Sequence, residues 1–324
     1  MTDRPRVIVT RRLPAPVEEQ LSHHFDAQLN LEDRPLDAAG LQQALRMADA
    51  VLCTVTDRLT ADVLGAEPLR ARILANFGVG FNHIDLKAAA ARGIVVTNTP
   101  EVLTEDTADD AMMLLLMVAR RAGEGERQVR SGGWTGWRPT HMLGTKVSGK
   151  TLGLIGMGRI ARAVARRAAL GFGMRIVFHD PVTPPAEALA GLGATALGSV
   201  DAVLRDADFV SLHCPATPET RHLMDARRLA LMKRSAFLVN TARGDVVDEQ
   251  ALVAALQART IAGAALDVYE REPTVTPALL AMDNVVLLPH LGSATHETRV
   301  AMGLRAIENL SAFFAGTAPR DRVA

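Results

Sequence analysis

The chain has 324 residues, and its 36 basic and 36 acidic side chains cancel to a formal net charge of zero. Hydrophobic residues make up 48% and charged residues 22%, a balance that excludes a disordered chain, a collagen-like repeat and a disulfide scaffold. Without an excess of Lys and Arg, nucleic acid is not expected as a partner, and the length suggests two domains.

Cys53 and Cys214 are the only cysteines and form no Cys-x-x-Cys pair, so a reducing compartment is the simpler expectation than a disulfide. The opening MTDRPRVIVTRRL mixes charge into its apolar run and lacks a signal-peptide core. The longest apolar run, Ala111–Ala119, is about half of the ~18 residues a membrane span needs. The expectation is a cytoplasmic protein with no membrane and no nucleic-acid partner.

In chain order, a strand at Val7–Thr10 is followed by helical patterns at Ala15–His24 and Leu41–Ala48, then strands at Ala50–Thr54, Ile73–Asn76 and Val95–Asn98. The apolar stretch Thr107–Arg121 reads as a long helix. After it, the polar, glycine-rich segment Glu124–Lys150 holds both tryptophans, Trp134 and Trp137, and reads either as a subunit-contact arm or as a packed surface loop. Strands at Leu152–Ile155 and Ile176–His179 flank a helix at Ile160–Leu170. Further strands at Phe209–His213, Phe237–Asn240, Ala264–Asp267 and Val285–Leu288 are joined by a helix at Glu249–Ala258, and His296–Ala315 closes the chain as a helix. This alternation argues for βαβ units and parallel sheets. The expected fold is α/β, with two doubly wound lobes, Rossmann-like or flavodoxin-like, and an inter-lobe cleft.

The strand Leu152–Ile155 runs into Gly156-Met157-Gly158-Arg159-Ile160-Ala161, then a helix, then a strand ending in Asp180. Gly156 permits the tight turn, Gly158 lets a pyrophosphate approach the backbone, and Ala161 lets the helix pack on the strand. The helix N-terminus offers free amides to a diphosphate. Asp180 follows Gly158 by 22 residues, near the ~20 expected of the acid that binds ribose hydroxyls. A carboxylate there, followed by Pro181, would repel a 2′-phosphate, so NAD(H) is favoured over NADP(H). A ligand-free glycine turn is the bland alternative.

Three later segments place polar groups at strand ends: Val239–Asp245, Leu266–Pro273 and Leu288–Ser293. They bring an Arg, a Glu and a His into one lobe. Reduction of a keto acid needs a proton donor, which His suits, a carboxylate to partner it, and an Arg whose fork pairs with a planar carboxylate.

With these segments the sequence resembles the D-isomer-specific 2-hydroxyacid dehydrogenase family, and within it the glyoxylate/hydroxypyruvate reductases. The carriers are Asn76–Asp85, Thr151–Arg167, Ser211–Thr220, Val239–Glu249, Ala265–Pro273 and Pro289–Thr295, and the steps from Arg243 to Glu272 and on to His290 match the family's spacing. The resemblance implies that His290 is the acid/base, Glu272 its partner and Arg243 the substrate-orienting cation. It implies that backbone amides at Val79 and Gly80 bind the substrate carboxylate, with Arg243 and His290 completing that set. Cofactor contacts are implied for Thr107, Gly156, Gly158, Arg159, Ile160, Asp180, Cys214, Pro215, Thr220, Thr241, Ala242, Arg243, Asp267, His290 and Gly292. The outer, substrate-binding domain would be 1–103 plus 298–324, and the dinucleotide-binding domain 104–297. No metal is expected, and a homodimer is.

Two departures stand out. Ala161 replaces the more frequent Gly, and His141 occupies a position where related reductases often place a bulky apolar residue. The expected activity is NADH-dependent reduction of small 2-keto acids, glyoxylate and hydroxypyruvate first, to D-2-hydroxy acids. Rival readings are a 3-phosphoglycerate, phosphite or formate dehydrogenase, or a non-catalytic NAD(H)-sensing protein.

Overall fold

In the computed structural model, which describes residues 4–324, every strand ladder is parallel. The chain divides into two units, one of residues up to 103 with Ala294–Ala324, the other Thr104–Ser293.

The first unit carries β1 (Arg6–Val9), β2 (Asp26–Gln28), β3 (Ala50–Thr54), β4 (Ile73–Phe77) and β5 (Val95–Thr97) in the order β2-β1-β3-β4-β5. This is the order of flavodoxin-like sheets. Ile73–Phe77 is buried along its whole length, as a central strand covered on both faces requires. Ile8, Val51, Cys53, Leu74 and Val96 share one apolar cluster with helix Ala38–Met47.

The second unit carries β6 (Thr151–Ile155), β7 (Arg175–His179), β8 (Thr195–Ala196), β9 (Phe209–Leu212), β10 (Phe237–Asn240), β11 (Gly263–Leu266) and β12 (Val285–Leu287). Their order is β12-β11-β10-β9-β6-β7-β8, so chain direction across the sheet reverses between β6 and β9. Successive residues feed opposite layers. Leu152 and Leu154 join the core under helices Thr104–Ala119 and Arg159–Phe172, while Ile155 joins the one under Val200–Asp206 and Glu249–Gln257.

Four elements differ from the sequence expectation. The edge strands Asp26–Gln28 and Thr195–Ala196 lack the apolar run that marks a buried strand. The start of the tryptophan-bearing segment is a helix, Ala122–Arg130, despite two glycines. The long apolar helix begins at Thr104, one residue after the unit boundary. Both cysteines are free. No helix among the described residues is long and apolar enough to cross a membrane.

Candidate active site

At the β6/β9 reversal, where open α/β sheets bind ligands, Gly156 has φ +89°. A Cβ there would lie 2.8 Å from the backbone of His213, so both conformation and contact demand glycine. Gly158 differs. Its backbone is extended, and an added Cβ would meet no protein atom within 4 Å, so nothing in the chain itself requires a glycine there. It precedes helix Arg159–Phe172, whose first amides have no side-chain cap. Arg159 is exposed, Ile160 half-buried and Ala161 fully buried against the sheet. The Asp180 carboxylate accepts hydrogen bonds from the amides of Met157 at 2.7 Å and Val182 at 2.8 Å, which fastens the glycine turn to the end of β7.

After β9, Thr220 Oγ1 donates to the Pro215 carbonyl at 2.6 Å and accepts from the Thr217 amide at 2.8 Å, closing a compact loop. Burial pushes the neighbouring Cys214 thiol up to about 11, which makes it a poor nucleophile.

The three polar strand ends meet in this same unit. After β10, Asn240 accepts the Ala242 amide at 3.0 Å and donates to the Arg243 carbonyl at 2.9 Å, so a fully buried amide shapes the turn that presents Arg243. Thr241 is buried beside it, and its hydroxyl has no hydrogen-bond partner among the described residues. Burial lowers the Arg243 guanidinium from its usual value, while Glu272 and Asp245 work to keep it charged.

After β11, Asp267 lies buried and its two oxygens grip the amides of Leu291 at 2.6 Å and Gly292 at 2.9 Å. Its carbonyl also takes the His290 amide at 2.9 Å. Burial raises the Asp267 carboxyl above its usual range, opposed by those two amides and by His290. Thr107, on helix Thr104–Ala119, packs at this loop, since a Cβ on Gly292 would lie 3.3 Å from its methyl carbon.

His290 adopts φ +57°, a left-handed conformation that costs a non-glycine residue roughly 1–2 kcal/mol. The Asp267 clamp holds it there. Its Nδ1 meets Glu272 Oε2 at 2.9 Å, and Glu272 Oε1 accepts the Tyr269 amide at 3.0 Å. Burial works to raise Glu272, but the His290 hydrogen bond, the Tyr269 amide and Arg243 outweigh it and leave the carboxyl below its ordinary value. An ionised Glu272 can only accept a hydrogen bond, so Nδ1–H is the donor and Nε2 is the ring nitrogen left for chemistry.

In the first unit, Val79 and Gly80 lie in the loop after β4. Asn76 Nδ2 donates to the carbonyls of Gly78 and Gly80, each at 3.0 Å, and Asn98 Nδ2 donates to that of Val79 at 2.9 Å. The Thr99 amide takes the Gly78 carbonyl as well. With every carbonyl tied back, the Val79 and Gly80 amides have no acceptor among the described residues. Paired free amides on a short loop suit an anion.

Of the sequence-derived residues, Arg243, Glu272, His290, Asp267, Thr241 and Ala242 come together around three adjacent strand ends. Gly156, Gly158, Asp180, Cys214, Pro215 and Thr220 gather at the β6/β9 reversal. Sequence reasoning missed the residues that brace them: Asn240, Asn76, Asn98, Tyr269 and Glu249. Glu249 is buried, accepts the Glu270 amide at 2.6 Å and pairs with the Thr276 hydroxyl. Asn98, Glu249 and the Tyr269 hydroxyl have partners far along the chain, while Asn76 and Asn240 bond to backbone within four residues and in the sequence read as ordinary polar side chains. Among the described residues, no group of three or more His, Cys, Asp or Glu could hold a metal ion.

Residues 112–292 match the family model described as "D-isomer specific 2-hydroxyacid dehydrogenase, NAD binding domain". The chain is 46% identical over 324 residues to a glyoxylate reductase of Korarchaeum cryptofilum, covering 99% of this chain and 96% of that one. Its structure is similar to that of a putative D-isomer specific 2-hydroxyacid dehydrogenase from Polaromonas sp. JS6 66, with TM-score 0.92, 36% identity, and 99% and 100% of the two chains covered. It is also similar to an NADPH-dependent glyoxylate/hydroxypyruvate reductase from Sinorhizobium meliloti in complex with NADP and malonate, with TM-score 0.88, 39% identity, and 99% and 97% covered.

Proposed function

The chain belongs to the D-isomer-specific 2-hydroxyacid dehydrogenase family, an oxidoreductase of the EC 1.1.1 class that uses a nicotinamide cofactor, and from that premise we propose that it reduces glyoxylate and hydroxypyruvate to D-2-hydroxy acids with NADH. The observation that carries the reading is the Glu272–His290 pair at 2.9 Å, set in the same cluster of strand ends as Arg243.

A reduced nicotinamide, when bound, would supply the hydride for the keto carbon. The residues of the chain do the rest. His290 Nε2 donates the proton to the carbonyl oxygen, and Glu272 stabilises the charged ring before transfer. Arg243 orients the carboxylate and polarises the carbonyl through its planar fork. The amides of Val79 and Gly80 receive a carboxylate oxygen. Gly158, with open space where a Cβ would stand, and the uncapped amides after it receive the diphosphate. The Thr241 hydroxyl, with no hydrogen-bond partner among the described residues, and Asp267 hold the nicotinamide end.

NADH is favoured over NADPH because the Asp180 carboxylate stands at the end of β7 with Pro181 beside it, where a 2′-phosphate would meet like charge. The enzyme acts as a homodimer in the cytoplasm. Trp134 is 55% exposed and Trp137 81%, and burying them against a second copy would remove that apolar surface from water.

Initial rates of NADH and NADPH oxidation with glyoxylate, hydroxypyruvate, pyruvate and phenylpyruvate test the proposal, beside His290→Ala. NADH-linked turnover lost in the variant is expected. Dinucleotide binding without turnover of any keto acid would sink it.

A further inference from the structure

Asp110 lies on helix Thr104–Ala119 with 6% of its surface exposed. Both of its carboxyl oxygens are buried, and neither has a hydrogen-bond partner among the described residues. A carboxylate in that setting must hold a proton or answer a nearby positive charge.

The helix decides which groups it faces. Thr107, one turn earlier on the same face, packs at Gly292, where an added Cβ would also lie 3.4 Å from Asp267 Oδ2. Asp110 therefore shares its surroundings with Asp267, from the loop after β11, and His290, from the loop after β12, and both charges act on it. Of the other acids of its helix, Asp106 stands half-buried one turn earlier, while Glu105 and Asp109 turn away. Glu105 pairs with Arg166 and Arg167, and Asp109 with Arg167, all on helix Arg159–Phe172. From the loop after β10, the Arg243 charge acts on Glu272 and is held by Glu272 and Asp245. Among the described residues, His290, when protonated, is the group that favours the charged form of Asp110. Burial and the Asp267 charge raise the Asp110 carboxyl to about 7, with His290 opposing them.

We propose that Asp110 is a positioning residue of the nicotinamide end, one that gives up its proton more readily beside the oxidised, cationic ring than beside the reduced, neutral one. The inference rests on the reading above that this unit binds a nicotinamide dinucleotide with its reactive ring beside His290. Asp110 acts by its charge on the ring and not by contact, since its oxygens are enclosed. When NAD+ binds, the carboxyl releases one proton to solvent and its negative charge faces the ring. When NADH binds, the ring is neutral and the proton stays. The site therefore favours NAD+ over NADH increasingly as pH rises through neutrality, which eases reduction by NADH at low pH and retention of NAD+ at high pH.

The test is equilibrium binding of NAD+ and of NADH between pH 6 and 8.5, with wild type, Asp110→Asn and His290→Gln. In wild type the Kd for NAD+ is expected to fall about tenfold across that range, the size expected of one partly screened charge pair, while the Kd for NADH changes less than about twofold. Asp110→Asn should abolish the difference and His290→Gln should keep it. Calorimetry of the wild-type protein in buffers of different ionisation enthalpy should show proton release on NAD+ binding near pH 7 and none on NADH binding, a readout that does not depend on a variant folding. Parallel pH dependence for the two dinucleotides, or a difference that survives Asp110→Asn, overturns the proposal. A difference that vanishes in His290→Gln alone assigns the effect to His290 and overturns it too. If neither dinucleotide binds wild type, the cofactor reading itself has failed, an outcome distinct from binding without a pH-dependent ratio.

Discussion

Gly244 and Tyr269 touch through their backbones: a Cβ on Gly244 would lie 1.8 Å from the Tyr269 carbonyl carbon and 2.0 Å from its oxygen. That contact locks the turn presenting Arg243 to the loop presenting Glu272. Tyr269 extends the lock in two further directions. Its amide donates to Glu272 Oε1 at 3.0 Å, and its hydroxyl donates to the Leu288 carbonyl at 2.7 Å, at the foot of the His290 loop. The chain's single tyrosine thus ties together the three segments that carry the polar groups of the site.

Gly244→Ala should be severe, because the obstruction is backbone and cannot rotate away. The expected cost is about 3 kcal/mol or more of stability, with kcat lowered at least a hundredfold in whatever folds, since a small displacement of catalytic groups is expensive. Thermal unfolding and NADH-linked rates measure both. A variant with wild-type turnover would show that the contact does not position Arg243.

Tyr269→Phe isolates the hydroxyl. Losing one largely buried hydrogen bond to a carbonyl is expected to cost about 1 kcal/mol, with kcat reduced several-fold and KM for the keto acid nearly unchanged. A large rise in KM with kcat intact would place its role in substrate binding instead.

Glu272→Gln should lower kcat by about 10²-fold through loss of the carboxylate behind His290. Its stability effect has a sign in pH. Glu272 lies below its ordinary value of 4.5 in the folded protein, so its charged form stabilises the fold above the unfolded value, and that contribution is lost as pH falls through the folded one. The gap in urea stability between wild type and variant should therefore narrow below about pH 4.5. A gap of constant size would contradict the assignment.

Asp180→Ala removes the charge proposed to exclude a 2′-phosphate. The ratio of kcat/KM for NADPH to that for NADH is expected to rise at least tenfold, even though the Met157 and Val182 amides lose their acceptor. An unchanged ratio would mean that cofactor choice lies elsewhere.

Asn76→Ala frees the carbonyls of Gly78 and Gly80 and so loosens the loop that bares the Val79 and Gly80 amides. KM for the keto acid should rise about tenfold, while affinity for the dinucleotide stays the same. An effect confined to the dinucleotide would refute the anion-binding role of that loop.

Most central strands were legible because burial on both faces demands continuous apolar runs, as in Ile73–Phe77 and Thr151–Ile155. The edge strands Asp26–Gln28 and Thr195–Ala196 were not, since an edge exposed to water places no such demand on side chains. The helix Ala122–Arg130 was hidden by its glycines and has no buried residue to betray a face. At the site, Gly156 and Asp180 were legible as members of a local motif, whereas Asn240 and Tyr269 read only as an ordinary polar residue and an ordinary aromatic.

By itself the sequence determined the alternating α/β plan, the glycine turn that opens helix Arg159–Phe172, and the family resemblance carried by Arg243, Glu272 and His290. Each is encoded by local periodicity or by short spacings along one strand-turn-helix unit. Only the tertiary structure decided that Gly244 must be glycine, that Asp267 clamps a left-handed His290, and that Asp110 is enclosed with no hydrogen-bond partner among the described residues. Those facts depend on which strands lie side by side. The order β11-β10-β9-β6 brings together segments up to about a hundred residues apart, and no local pattern in the chain records that adjacency.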